Sequence, residues 1–541
     1  MVNVDRPLCK TESAPEGHSA GAKTRETAGC VDEAEDLFKK SLEADPTSVP
    51  LTLDLGDFFL RHGRLDEAEL VYRYALSLDH RSCAVLNNLG NTMKQKGDHA
   101  EAERFYREAL TVNPHLLETL TNLGILFLNQ KRFDEAETYL RRATALNPRF
   151  GYAARELGNL SMEQGRYTEA EALYRYVLSV NPGDHDAAFN LSYVLLLHGK
   201  YEEGWDRYEL RLKRADFQYL CVDGKRRFDP SSASQTVLVR AEQGLGDTIQ
   251  FVRFLSELKG NGRRIIFECQ PQLVDLLGSV QGVDTIVPRT VGLKAPDIAF
   301  DEYIPLLSLP GVFKITAETI PAHVPYVAVD QGLIEKWKMA LGSEAGRERF
   351  KVGVAWAGNP KNTGDKFRSL TLKSLTPLFG VDGAIFYSLQ YGIAVAEIEA
   401  LPTFANLVDF SRDLKAFADT AAFIMNLDLV ITVDSVIAHL AGALGKPCWN
   451  LIPYVPDWRW LIDRSDSPWY PTMRLIRQKS LNDWEETLQE VTSELAHIVL
   501  RNRPVTSFAT SERPNTPKEQ SPLFHTPQHS PSFYPDMPVQ A

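Results

Sequence analysis

A spacing of 34 residues governs the first part of this chain and constrains its fold more than any other feature. Gly56, Gly90, Gly124 and Gly158 keep it, and Ala68, Ala102, Ala136 and Ala170 repeat it twelve residues later. Two registers in step mean a unit of two elements, stacked on copies of itself. A large residue follows each Ala, at Tyr72, Tyr106, Leu140 and Tyr174, and Pro114, Pro148 and Pro182 close three units, with His80 in that place in the first. Between the registers lie His62-Gly63-Arg64, Lys96-Gly97-Asp98 and Gln164-Gly165-Arg166, where glycine allows the conformation that ends a helix. The proline then stops the second helix. The unit is a helical hairpin. Small residues at the Gly and Ala positions let its two helices pack closely, and the large residue is expected to fill the groove toward the next hairpin.

These positions match the tetratricopeptide pattern, and Val31 to Arg214 resembles a tetratricopeptide-repeat array. At its ends, Val31 to Pro46 supplies only the second helix of a unit, and Leu191 to Leu210 a sixth unit with Ser192 and Gly204 at the small positions. Both read as caps or junctions. Two residues before each repeat glycine stand Asp54, Asn88, Asn122 and Glu156, with Asn190 in the last unit. In this repeat family that position usually faces the concave groove. Asn88, Asn122 and Asn190 could therefore hold an extended peptide, since an amide both donates and accepts; equally, they could bond neighbouring helices.

A length of 541 residues leaves room for several units beyond the array. With 44% hydrophobic and 24% charged residues, the chain reads as soluble and globular. A net charge of -12 argues against nucleic acid as a partner. Six scattered cysteines suggest neither a zinc site nor a disulfide framework and fit a reducing, cytoplasmic setting. No uninterrupted apolar run reaches the length of a transmembrane segment. Residues 1–30 carry no signal-peptide core and are expected to form a disordered lead; residues 502–541, dense in Pro, Ser, Thr and His, are expected to form a disordered tail.

After a linker at 215–234 the pattern changes to alternating strands and helices, a sign of α/β architecture. One half, 235–335, opens with Thr236 to Arg240, a glycine loop at Gly244 to Asp247 and a helix; a second, 350–501, opens at Lys351 to Trp356 and ends in a closing helix. Two such halves enclose a cleft, and ligands bind at the carboxyl ends of their strands. Three segments fall there. Gly244-Leu245-Gly246-Asp247 allows close backbone approach and places a carboxylate at a helix start, where Asp247 could equally be a plain cap. A nicotinamide site with Glu268 on the ribose is disfavoured, because Ile249 replaces the third glycine of that fingerprint. In the second segment, Trp356, Gly358 and Asn359 lead past Lys361 and Lys366 to Arg368 and Ser369, which suit a phosphate. In the third, Asp434 and Ser435 open a helix whose N–H groups favour anions, with His439 one turn on as a ligand contact or a buried imidazole.

Thr236 to Arg477 resembles the GT-B glycosyltransferases related to ADP-heptose:lipopolysaccharide heptosyltransferases. The Gly-x-Gly-Asp at Gly244 to Asp247 and the Asp-Ser-x-x-x-His-Leu at Asp434 to Leu440 carry the likeness. A bacterial subset with repeats in front shares Tyr201, Gly204, Trp205, Tyr208 and Glu209 at the junction, Trp356 to Pro360, and Pro456 to Trp460. The layout is also similar to O-linked N-acetylglucosamine transferases. Asn362 stands where that subset commonly has His shortly after Trp-Ala-Gly-Asn-Pro. The resemblance implies two Rossmann-like halves and inverting, metal-independent transfer of a sugar from a nucleotide-diphosphate donor to a protein or glycan hydroxyl. It implies Asp247 as base and Gly244, Gly246, Trp356, Gly358, Asn359, Arg368, Ser369, Asp434, Ser435 and His439 around the donor, with Pro453 and Tyr454 beside the base. No cofactor beyond the nucleotide sugar is implied. The alternative is a non-catalytic scaffold that binds a protein through its repeats.

Overall fold

The computed structural model describes residues 15–260, 262–290, 294–344, 349–362, 364–400 and 406–502. Residues 1–14 of the expected lead and 503–541 of the expected tail lie outside them.

Twelve described helices build the repeat region: α1 (Pro15–Thr27), α2 (Val31–Ala44), α3 (Val49–Arg61), α4 (Leu65–Leu78), α5 (Cys83–Lys96), α6 (His99–Val112), α7 (Leu117–Asn129), α8 (Phe133–Leu146), α9 (Gly151–Glu163), α10 (Tyr167–Val180), α11 (His185–Leu197) and α12 (Tyr201–Tyr208). They pack pairwise as six hairpins, each stacked on the next. The first hairpin corrects the expectation of a disordered lead through residue 30. α1 pairs with α2, buries Ala22 and ties to the next unit through Ser19 Oγ, which donates to Asp54 (2.5 Å), and Lys23, which pairs with Asp54 (2.7 Å). Ala22 stands 34 residues before Gly56; the small-residue register continues there without its glycine.

Gly56, Gly90 and Gly158 are small because the second helix of the same hairpin packs closely on them, as expected. A Cβ at these positions would meet the rings of Tyr72, Tyr106 and Tyr174 at 2.4, 2.4 and 2.6 Å. Each large residue thus packs within its own hairpin, and Tyr72 and Tyr174 also reach Asn88 and Asn190 of the next. The tyrosine hydroxyls reach on to Asp57 (2.5 Å), Asn91 (2.7 Å) and Asn159 (2.7 Å). Five of the six hairpin turns place a glycine in the left-handed region, at Gly29, Gly63, Gly97, Gly165 and Gly199, and the remaining one uses Lys131 at φ 64.

Beyond the array lie two parallel sheets. The first contains β1 (Arg226–Arg227), β2 (Thr236–Arg240), β3 (Arg264–Cys269), β4 (Thr285–Pro288) and β5 (Glu302–Pro305), in the order β1-β5-β2-β3-β4. β1 lies in the expected linker, so that segment is partly sheet edge, Arg226 pairing with Glu302 in register. The second sheet contains β6 (Phe350–Ala355), β7 (Ala384–Ser388), β8 (Leu407–Val408), β9 (Leu429–Val433), β10 (Cys448–Ile452) and β11 (Met473–Arg477), in the order β11-β10-β9-β6-β7-β8. The boundary between the halves also moves. Helix Gln331–Glu344, begun within the expected first half, packs on helix Phe417–Met425 of the second, where Trp337 meets Phe423 edge-on. The closing helix Glu485–Arg501 buries Leu488, Val491, Leu495 and Val499 against Val352, Val354 and Ile431.

One apolar cluster joins the end of the array to both sheets, running through Leu196, Trp205, Val239, Ile304, Ile437, Trp458 and Trp469. Trp205 on α12 sits at the meeting point. Its indole N–H donates to the Ile315 carbonyl (3.1 Å) and its ring meets Trp458 edge-on at 5.4 Å. None of the described helices is long and apolar enough to cross a membrane.

Candidate functional site

Both sheets reverse their strand order beside the strand whose following loop was singled out. β2 lies between β5 and β3, and β6 lies between β9 and β7. At such switch points the loops diverge and leave a crevice at the carboxyl ends. The loops after β2, β6 and β9 accordingly converge, and the halves meet where helix Leu245–Phe251 packs on helix Val436–Ala443.

Asp247 sits in the first turn of the former helix. Its Oδ2 accepts from the Gly244 backbone N–H (2.8 Å), as a helix-start carboxylate does, while its Oδ1 accepts from Arg459 Nη2. Burial raises the Asp247 carboxyl above the ordinary range, against the opposing pull of Arg459. Arg459 is 5% exposed and fully engaged: Nε donates to Gln250 Oε1 (2.7 Å) and Nη1 to Asp457 Oδ1 (2.8 Å). Asp457 in turn accepts from the Tyr193 hydroxyl of α11 (2.6 Å). Burial pushes Asp457 up, but Arg459 and Tyr193 outweigh it and hold the carboxyl below its usual value.

Across the cleft, Ser435 caps helix Val436–Ala443, its Oγ accepting from the Ile437 N–H (3.3 Å) and sharing a bond with Thr432 Oγ1 (3.0 Å). One of the expected anion-binding N–H groups is thus already occupied. Asp434, 6% exposed, is pushed up to about 6 by burial, which outweighs the attraction of Arg368. Arg368 Nε donates to Asp365 (3.2 Å); burial would lower its pKa, and Asp434 and Asp365 keep it raised, so it stays cationic. His439 is driven down to about 3 by burial and by Arg459, and is therefore neutral; its Nδ1 meets the Tyr470 hydroxyl (3.0 Å) and its ring stacks on Trp460. It is a buried imidazole. Gly246 is small because of it: a Cβ there would meet His439 Cδ2 at 2.6 Å.

Within the second segment the roles divide. Ser369 Oγ accepts from the Gly358 N–H (2.9 Å) and donates to Asp365 (2.8 Å), folding the loop back on itself. A Cβ on Gly358 would meet Asp365 at 2.2 Å, so the glycine admits the Asp365–Arg368 pair. Asn359 makes a local turn by accepting from the Lys361 N–H (3.1 Å). Lys361 is exposed, and the Lys366 side chain lies outside the described residues. Trp356 corrects the expectation of a donor contact: it is 0% exposed, within the core under the closing helix. Glu268 is buried in an ion pair with Arg240 (2.5 Å) and offers no carboxylate for a ribose.

A cavity of about 210 Å³ opens among these loops, lined by Arg368, Asp434, Pro453, Tyr454, Asp457 and Gln478 and, from the array, by Glu163 and Tyr193. Gln478 is 5% exposed; its Oε1 accepts from the Tyr454 N–H (2.8 Å), while its Nε2 has no partner among the described residues. Asp247 is not in this lining and reaches it through Arg459 and Asp457. Asp457 and Arg459, within the Pro456 to Trp460 motif, and Tyr193 carry roles that the sequence did not assign them. Asp457 and Arg459 follow β10, so the same strand-end rule points to them; nothing local marks Tyr193.

The asparagines of the array point to the bland reading. Asn88 donates to Asp57 (2.8 Å), Asn122 to Asn87 (3.1 Å) and Asn190 to Asn159 (2.8 Å), each reaching the preceding hairpin.

Comparison with known proteins bears on the array. Descriptions of the tetratricopeptide repeat match residues 27–80, 81–149, 121–179 and 155–216. Residues 27–216 are a tetratricopeptide array. A curated relative, protein FlbA of Caulobacter vibrioides, is 25% identical over 315 residues, which span 54% of this chain and 52% of FlbA. The chain thus spans about half the length of that relative. Among solved structures, a thermophilic tetratricopeptide protein of Thermus thermophilus is 22% identical (TM-score 0.31; 34% of this chain and 100% of that one), and PilF of Pseudomonas aeruginosa is 24% identical (TM-score 0.32; 38% and 96%).

Proposed function

We propose that the chain is a GT-B glycosyltransferase that moves a sugar from a nucleotide-diphosphate donor to a protein or glycan hydroxyl, its array recruiting the acceptor or a partner. The observation that carries this reading is the placement of Asp247, Asp434 and Arg368 just after strands of two parallel sheets, with Asp247 paired to Arg459 and Arg368 to Asp365. Asp247 would take the acceptor proton as the oxygen attacks the anomeric carbon from the face opposite the diphosphate. The bond to the diphosphate oxygen breaks with its electron pair, and the configuration inverts. A raised carboxyl pKa makes Asp247 a stronger base than an exposed aspartate. Arg368 would face the developing negative charge on the leaving diphosphate. Tyr454, 42% exposed at the cavity, supplies an aromatic face for the nucleotide base, and Gln478 Nε2 a free donor.

The test combines calorimetry with a panel of nucleoside diphosphates and turnover of the matching nucleotide sugars. Asp247→Asn should abolish transfer, a loss of about 100-fold or more, while leaving diphosphate affinity within about twofold. Near-normal turnover by that variant would make Asp247 a cap alone. A second reading, a protein-binding scaffold, is favoured by the array itself and by the engagement of Asp247 and Arg368 in ion pairs. Absence of any nucleotide binding would decide for it.

A further inference from the structure

We infer that Tyr193 of the repeat array is a positioning residue for the Asp247 carboxylate, acting through Asp457 and Arg459, so that the array completes the cleft rather than only carrying it. The kinetic arm of this inference rests on the proposed role of Asp247; the structural arm does not.

The chain of contacts is continuous and crosses all three units. Tyr193 lies on α11, the first helix of the last hairpin, and its hydroxyl donates to Asp457 Oδ2 at 2.6 Å. The other oxygen of Asp457 accepts both the Arg459 backbone N–H (3.0 Å) and Nη1 (2.8 Å). Arg459 then spends Nε on Gln250 and Nη2 on Asp247, both on the helix of the first sheet. A planar guanidinium with three edges bonded has one orientation. The Trp458 and Phe251 rings, 4.3 and 5.6 Å from its centre, fix its plane. Asp457 is therefore the element that sets where Arg459 lies, and the Tyr193 hydroxyl is the partner that fixes the free side of Asp457. Burial and the neighbouring Asp457 charge push the Tyr193 phenol well up, so it remains a donor throughout the working pH range.

Packing alone would not require the hydroxyl. The loop after β10 is already held by Trp458 against Trp205 and Tyr208. A hydroxyl-specific effect is thus separable from a loss of packing, and α12 provides the control: the Tyr201 hydroxyl is buried with no partner among the described residues.

Tyr193→Phe keeps the ring and removes the donor; Tyr201→Phe removes a hydroxyl that bonds none of the described residues. Hydrogen exchange on the full chain should show faster exchange at residues 456–461 and 244–251 in Tyr193→Phe, by about tenfold for one lost hydrogen bond to a charged group. α11 should keep its protection, and Tyr201→Phe should match the parent. Asp457→Asn should reproduce the change at 244–251. In turnover, the acid limb should move to higher pH in Tyr193→Phe, because a loosened Arg459 stabilises the Asp247 carboxylate less. The charged or titratable groups facing Asp247 are Arg459 and Asp457 from the second half, Glu242 from its own loop and the Tyr208 phenol from the array; His439, against Gly246, is neutral. Unchanged exchange at 244–251, a loss of protection spread along α11 and α12, or an Asp457→Asn variant without effect at 244–251 would each overturn the inference. If no nucleotide sugar turns over, the proposed function fails, and the exchange arms still decide the role of Tyr193.

Discussion

Asp434→Asn tests the electrostatics of the cleft through stability. Asp434 is 6% exposed and its carboxyl stands at about 6, against an ordinary value of 3.8, with burial as the largest cause. At 1.36 kcal/mol per unit, holding the charge in the folded chain costs about 3 kcal/mol. The sign follows from proton binding. Between about pH 4 and pH 6 the folded chain keeps a proton that the unfolded chain has released, so this group's contribution to stability falls as pH rises through that window and stays low above it. Asparagine has nearly the shape of the neutral carboxyl and never ionises. Arg368 loses one anionic neighbour in the variant but keeps Asp365 at 3.2 Å. Asp434→Asn should therefore be more stable than the parent by up to about 3 kcal/mol at pH 7.5, with the gap closing toward zero near pH 4. Calorimetric melts of both chains across pH 4.5 to 8 read this directly, as a difference of roughly 5–10 °C at the upper end. A difference that does not change with pH, or a variant less stable than the parent at pH 7.5, refutes the reasoning.

Two further substitutions probe packing and burial. Gly246→Ala places a Cβ 2.6 Å from the His439 ring, which Trp460 and Tyr470 hold in place; the helices must part, and the expected cost is about 1–3 kcal/mol by denaturant titration. Arg211→Ala strands Glu242, buried at 0% side-chain exposure and bonded by Arg211 at 2.7 and 2.9 Å. It should destabilise by about 3–5 kcal/mol, several times the effect of Arg104→Ala, whose partners Glu101 and Glu108 face solvent.

The repeat array was legible because its periodicity reports packing directly: a glycine matched to a large side chain every 34 residues leaves few other folds. α1 escaped because Ala22 does the same work with a different residue, and a pattern keyed on glycine passes over it. Strands such as β2 and β6 were legible as apolar runs bounded by glycine and polar turns; β1, two exposed arginines at a sheet edge, has no such run, and β5, β8 and β11 were not read either. The expected bound at 335 cuts through helix Gln331–Glu344, because the sequence there does not show which neighbour receives that helix. The strand-end rule led to Asp247, Arg368 and Asp434. It could not show that Arg459, 212 positions from Asp247, would bond it, since contacts between distant segments leave no local trace. Trp356 misled because a tryptophan before a glycine loop reads as a binding surface, whereas its 0% exposure marks it as core.

Trp205 changes what the array can do for the rest of the chain. Its indole is bonded to a carbonyl of the first half and wedged edge-on against a tryptophan of the second, so the last hairpin is mounted on both. A partner held in the groove of such a mount is presented at a fixed distance from the cleft, without the spread of separations that a flexible tether samples. Its effective concentration at the cleft then depends on where along the array it docks. Segments whose reach matches that distance gain, and shorter or displaced ones gain nothing, whatever their affinity for the repeats. Under the proposed function, a rigid joint would make the array a ruler.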